Sequence, residues 1–193
     1  VRHGRTAWNA EKRFQGRSDV ALDDVGRTQA EALGRALRDE PFECAIASDL
    51  ERARATAEIV LAGRAPAVAL EIEPGWREFD FGAWEGLTWS EIAVRFPDVH
   101  AYPAGGRFVS PAGSSESFDD LCARVAAALT ALSERRVSRA LVVTHAGPLH
   151  ALLRLASGSE REALAARFLP ASVSRFRVAA GAVSVLRINE FAA

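Results

Sequence analysis

The sequence predicts an α/β fold of three layers, in which a mainly parallel central sheet is flanked by helices. Three observations point there. Helix-like and strand-like segments alternate along the chain. Two of the strand-like segments, residues 43–47 and 140–144, are short and almost wholly apolar, the pattern of strands covered on both faces. Finally, 193 residues, 49% hydrophobic and 25% charged, suit a single domain (1–193) with a substantial core.

Taken in order, residues 25–38 place Val25, Leu33, Ala36 and Leu37 on one helical face. Residues 43–47 form the first buried strand. Ser48 followed three residues later by Glu51 reads as a capping box, with a helix from there to Leu61. Residues 68–72 alternate like a strand and stop at Pro74-Gly75. The clearest helix covers residues 117–134, with Phe118, Leu121, Cys122, Val125, Leu129 and Leu132 along one stripe. Residues 140–144 form the second buried strand, and a helix is expected over 149–155. Segments 172–178 and 183–188 predict a terminal hairpin around residues 179–182. Residues 97–117, rich in Pro and Gly, predict a long surface loop on the substrate side.

Composition excludes several classes of function. A formal net charge of -1 gives no general attraction to nucleic acid or anionic lipid. No apolar run approaches the roughly 18 residues of a membrane-spanning helix. Cys44 and Cys122 sit in apolar contexts and are expected as buried thiols, which fits a reducing, cytoplasmic location. The chain contains no Met, so residues upstream of Val1 are expected to be missing. Lys12 is the only lysine; the remaining positive charge is arginine, whose planar fork can hold two oxygens of a phosphate or carboxylate.

Two of the four histidines stand where strands end. Val1-Arg2-His3-Gly4 reads as the tail of a strand, and Leu141-Val142-Val143-Thr144 runs directly into His145-Ala146-Gly147. Open α/β sheets bind ligands beyond the carboxyl ends of their strands, so His3 and His145 could share one pocket, where helix starts also favour an anion. His100 is expected solvated in the loop, and His150 a plain, partly buried residue on the helix after His145. Spacings typical of metal ligands are missing around both strand-end histidines, so no metal is expected.

A neutral imidazole is a nucleophile able to attack phosphorus, and the transferred phosphoryl group needs fixed positive partners. Arg2 adjoins His3, and Arg52 falls in the first turn of a helix after a buried strand; pairing of Arg52 with Glu51 or Asp49 at the surface is the competing reading. A leaving alkoxide also needs a proton. Residues 76–86 carry Glu78, Asp80 and Glu85 among aromatic side chains, where burial raises a carboxyl pKa. The pattern alone does not choose among the three.

Several ordered blocks resemble the histidine phosphatase superfamily, also called the phosphoglycerate mutase-like family. They are Arg2-His3-Gly4-Arg5-Thr6-Ala7-Trp8-Asn9 with Phe14-Gln15-Gly16-Arg17, then Ser48-Asp49-Leu50 with Arg52-Ala53. Arg77-Glu78 with Trp84-Glu85-Gly86, Glu116-Ser117-Phe118 and Thr144-His145-Ala146-Gly147 follow. The resemblance implies a phosphoglycerate mutase-like fold and a phosphohistidine formed on His3. It also implies that Arg2, Arg52 and His145 hold the phosphoryl oxygens and that Glu78 is the proton donor. Asn9, Gln15 and Gly16 match positions that line the phosphate pocket, and no cofactor is implied. Residues 87–91 lack the lysine with which mutases grip a second anionic group, and the loop over 97–117 is short for a mutase insertion. Both departures favour a phosphatase similar to α-ribazole and broad-specificity phosphatases over a phosphoglycerate mutase. A non-catalytic phosphate-binding module is the alternative of a different class, and it would be expected to lose His3 or Glu78 first. The expected partner is a small phosphorylated metabolite, with a homodimer allowed and neither nucleic acid nor membrane.

Overall fold

The computed structural model describes residues 1–97, 114–179 and 181–191. Three short strands, β1 (Cys44–Ala47), β2 (Leu70–Ile72) and β3 (Ala140–Val143), pair in parallel in the order β2-β1-β3. Ala45 stands opposite both Leu70 and Leu141. Residues 1–3 run beside the end of β3: Thr144 N donates to Val1 O (2.8 Å) and His3 N to Thr144 O (2.9 Å). On its other edge the same segment meets the terminal hairpin, the antiparallel pair β4 (Ser172–Ala179) and β5 (Ala182–Phe191), through Arg2 N to Ser172 O (3.2 Å).

The helices are α1 (Ala7–Ala10), α2 (Asp24–Ala36), α3 (Glu51–Leu61), α4 (Trp89–Arg95), α5 (Phe118–Ser133), α6 (Ala146–Ser157) and α7 (Glu160–Ala165). Side chains of β1 alternate between two cores, as the two-residue period of a strand requires. Cys44 and Ile46 pack with Phe118, Leu121 and Val125 of α5 and Leu149 and Leu152 of α6. Ala45 and Ala47 pack with Leu33 of α2 and with Ala53, Ala57 and Val60 of α3. The sheet is therefore covered on both faces, which is the predicted three-layer α/β arrangement. Each fully buried leucine contributes on the order of 2 kcal/mol to it. Cys44 and Cys122 are buried free thiols.

Some elements differ from the sequence expectation. In α2 the inward stripe is Gly26, Ala30 and Leu33, continued by Leu37, whereas Val25 and Ala36 are exposed. A Cβ on Gly26 would collide with the Arg5 backbone, so this close approach sets the rotation of the helix. Ser48 is not a cap. Leu50 is the N-cap residue of α3 and makes no side-chain cap bond, while Asp19 Oδ1 accepts from Glu51 N at 2.7 Å. α6 starts at Ala146, three residues earlier than expected, because Glu78 supplies acceptors for its first amides. α4, with a capping box between Thr88 and Glu91, occupies a segment for which periodicity gave no element. Most of the expected loop over 97–117, including His100, lies outside the described residues.

Candidate active site

The carboxyl ends of β1 and β3 and the end of the His3 segment converge on a cavity of about 290 Å³. Arg2, His3, Asn9, Gln15, Gly16, Arg52 and Glu78 all line it. His145 stands behind this wall, fully buried, with its ring centroid 5.1 Å from that of His3. All eight candidate residues therefore gather at one place.

His3 is held in one tautomer. Its Nδ1 lies 2.7 Å from Gly4 O, and since a carbonyl can only accept, Nδ1 carries the proton. Nε2 is left with its lone pair. Burial, reinforced by the Arg52 and Arg2 charges, holds the His3 pKa well below its usual 6.5, so the ring is neutral at physiological pH. His145 Nε2 pairs with Ser48 Oγ at 2.8 Å. Leu50 N in turn donates to the same hydroxyl oxygen.

The two arginines are fixed from behind. Arg52 donates from Nη1 to Ser18 O (2.8 Å) and from Nη2 to Gly16 O (2.7 Å). Arg2 donates from Nη1 to Phe168 O (2.6 Å). Burial lowers the Arg2 pKa to about 10, still charged at neutral pH. Among the described residues, Arg2 Nε, Arg52 Nε and His145 Nδ1 are buried without a hydrogen-bond partner. Unmet buried donors are costly, and those of Arg2 and Arg52 belong to cavity-lining residues. Asn9 and Gln15 turn their amide oxygens to Thr6, leaving their NH2 groups as donors.

Geometry separates the three carboxyls that the sequence left equivalent. Glu85 holds the loop that anchors Arg52, accepting from Arg17 N, Ser18 N and Ser18 Oγ. Asp80 accepts from Ser115 and Gly82. Only Glu78 lines the cavity. Its Oε1 accepts from Phe79 N and Gly147 N, both at 2.8 Å, and its Oε2 from Ala146 N at 3.2 Å. Oε2 carries the single, longer bond and is the oxygen free to bear a proton. Burial outweighs these bonds and the charges of Arg52 and Arg2, and raises the Glu78 pKa above 4.5. Gly147 is required here, because a Cβ at that position would overlap Glu78 Oε1.

The cavity also has walls that the site reading did not single out: Lys12, Arg13, Phe14, Phe79, Phe81 and His150, with Phe118 from the apolar stripe of α5. His150 is partly buried on α6, as the sequence predicts, and its position one turn beyond the start of the helix also makes it a wall of the cavity. Among the described residues no group of three or more His, Cys, Asp or Glu side chains is arranged to hold a metal ion, and no helix is long and apolar enough to cross a membrane.

The profile of the histidine phosphatase superfamily, branch 1, matches residues 1–190. The chain belongs to this family. As a histidine phosphatase it is an enzyme, and its relatives agree on that class. Phosphoglycerate mutase-like protein 4 of Arabidopsis thaliana is 34% identical over 181 residues, covering 92% of this chain and 77% of the relative. A metal-independent phosphoserine phosphatase of the same plant is 35% identical over 178 residues, covering 90% and 73%. The crystal structure of the α-ribazole phosphatase from Shigella flexneri superimposes with a TM-score of 0.84 at 27% identity, over 98% of this chain and 94% of that one. The Shigella flexneri phosphatase thus shares the fold described above.

Proposed function

We propose that this histidine phosphatase is a phosphomonoesterase that hydrolyses small organic phosphate esters through a phosphohistidine on His3. The observation that carries the reading is a neutral, tautomer-fixed imidazole in the same cavity as two anchored guanidinium groups and one buried carboxyl. In the first step His3 Nε2 attacks phosphorus and the bond to the ester oxygen breaks. Glu78 Oε2 gives its proton to the departing alkoxide. Arg2 and Arg52, with the amides of Asn9 and Gln15, hold the phosphoryl oxygens through donors that the protein leaves unused, and His145 joins them in the tautomer in which Ser48 donates to Nε2 and Nδ1 carries the proton. In the second step the Glu78 carboxylate takes a proton from water, whose oxygen attacks phosphorus. The P–N bond breaks, phosphate leaves, and His3 and Glu78 return to their starting forms.

A phosphatase is favoured over a mutase by the segment after Gly86. There Thr88 and Glu91 cap α4, Trp89 packs on Phe14 and Trp84, and the nearby Arg13 is paired with Glu11 and Glu91. Residues 87–91 carry no lysine or arginine to grip a second anionic group. His3→Ala should lose p-nitrophenyl phosphate turnover and acid-labile phosphate labelling together. Wild-type turnover in that variant would refute the reading, and flux between 2- and 3-phosphoglycerate above the rate of phosphate release would transfer it to a mutase.

A further inference from the structure

His150 has no part in the two steps above, yet it forms a wall of the same cavity. It lies on α6 three residues after Gly147 and four after Ala146, one helical turn from the amides that hold Glu78. Its Nε2 is 3.0 Å from Ala166 O, so Nε2 carries the proton and Nδ1 the lone pair. Its ring packs against Phe168, with centroids 5.2 Å apart, which fixes the plane. Burial lowers its pKa to about 4, so the ring is neutral at working pH. Nδ1 makes no hydrogen bond to the described residues. Neighbouring walls Phe79, Phe81 and Phe118 have side chains without a hydrogen-bonding atom. A lone acceptor beside such walls favours a ligand that brings a donor to it.

Resting on the phosphomonoesterase reading, we infer that His150 sets specificity: Nδ1 accepts a hydrogen bond from a hydroxyl of the leaving alcohol, a few bonds from the ester oxygen. The preferred substrates are then monophosphates of hydroxylated alcohols. The one-turn spacing from the Glu78 amides puts that hydroxyl close to the oxygen being protonated rather than at the far end of a long chain.

The test compares rac-glycerol 1-phosphate with n-propyl phosphate, esters of similar size that differ in hydroxyl groups. The wild-type kcat/KM ratio should favour glycerol phosphate by about tenfold, the scale of one hydrogen bond to a neutral acceptor. His150→Phe removes the acceptor but keeps a ring against Phe168, and should bring the ratio close to one. His150→Gln, which can both donate to Ala166 O and accept, should restore most of the preference. His150→Ala reads the same ratio should the phenyl ring not fit. A wild-type ratio near one, or a wild-type ratio persisting in folded His150→Phe or His150→Ala, overturns the inference while leaving the phosphatase reading intact. Absence of turnover and of phosphohistidine with both esters overturns that reading, and this inference with it.

Discussion

Replacing Gly147 by alanine would put a methyl group into the space held by Glu78 Oε1 and 3.3 Å from both Phe79 N and Phe79 Cβ. Phe79 is fully buried and cannot yield, so the carboxyl must move. It would lose the 2.8 Å bond from Gly147 N and retreat by roughly 1 Å, a displacement that costs about 100-fold when it misaligns a reacting group. That is about 2.7 kcal/mol of transition-state stabilisation, within the range for loss of a general acid. Helix α6 should survive, since alanine is favoured over glycine in a helix by about 1 kcal/mol, offsetting part of the strain. The assay is kcat/KM, which reports steps through phosphorylation of His3, on two esters. n-Propyl phosphate needs its leaving oxygen protonated and should lose about 100-fold; p-nitrophenyl phosphate has a good leaving group and should lose far less, about threefold. Circular dichroism checks the fold. Equal losses on both esters in a folded protein, or no loss on propyl phosphate, would refute the assignment of Glu78 as proton donor.

Other consequences can be measured directly. His150 has a folded pKa of about 4 against about 6.5 unfolded, so the unfolded chain binds the extra proton between those values and stability falls as pH drops through that window. Urea unfolding should show up to about 3 kcal/mol lost from this group by pH 4, a contribution absent in His150→Phe. Glu85→Ala removes three hydrogen bonds from residues 17 and 18 and loosens the carbonyls that anchor Arg52. Calorimetry with vanadate should show binding weakened about tenfold or more, and unchanged binding would count against the relay. Ser48→Ala strips His145 of its Nε2 partner; kcat/KM should fall about tenfold with fold retained, and full activity would show that the serine does not orient the ring.

Legibility in the sequence followed the range of each interaction. β1 and β3 were readable because four apolar residues in a row demand cover on both sides. Both strand-end histidines followed from those strands. Glu78 was not separable from Asp80 and Glu85 by pattern, since the difference lies in the amides of Ala146 and Gly147, far along the chain. Ser48 carries the local pattern of a cap, but the helix starts later, with Leu50 as its N-cap, and the Ser48 hydroxyl serves Leu50 N and the distant His145 together. The stripe of α2 was misplaced because a backbone contact between Gly26 and Arg5, rather than side-chain hydrophobicity, fixes its rotation. His150 lies on the expected helix, but its place in the cavity wall comes from the packing of α6 against distant Ala166 and Phe168, which the helical pattern does not show.

The segment that carries the nucleophile is stitched on one side to Thr144 and on the other to Ser172, and the Arg2 guanidinium reaches Phe168 across 166 residues of sequence. During synthesis His3 therefore emerges long before the strands that clasp it. The centre closes only after Thr144, Phe168 and Ser172 have left the ribosome, and a fragment ending before Thr144 would own the reactive imidazole without the means to aim it.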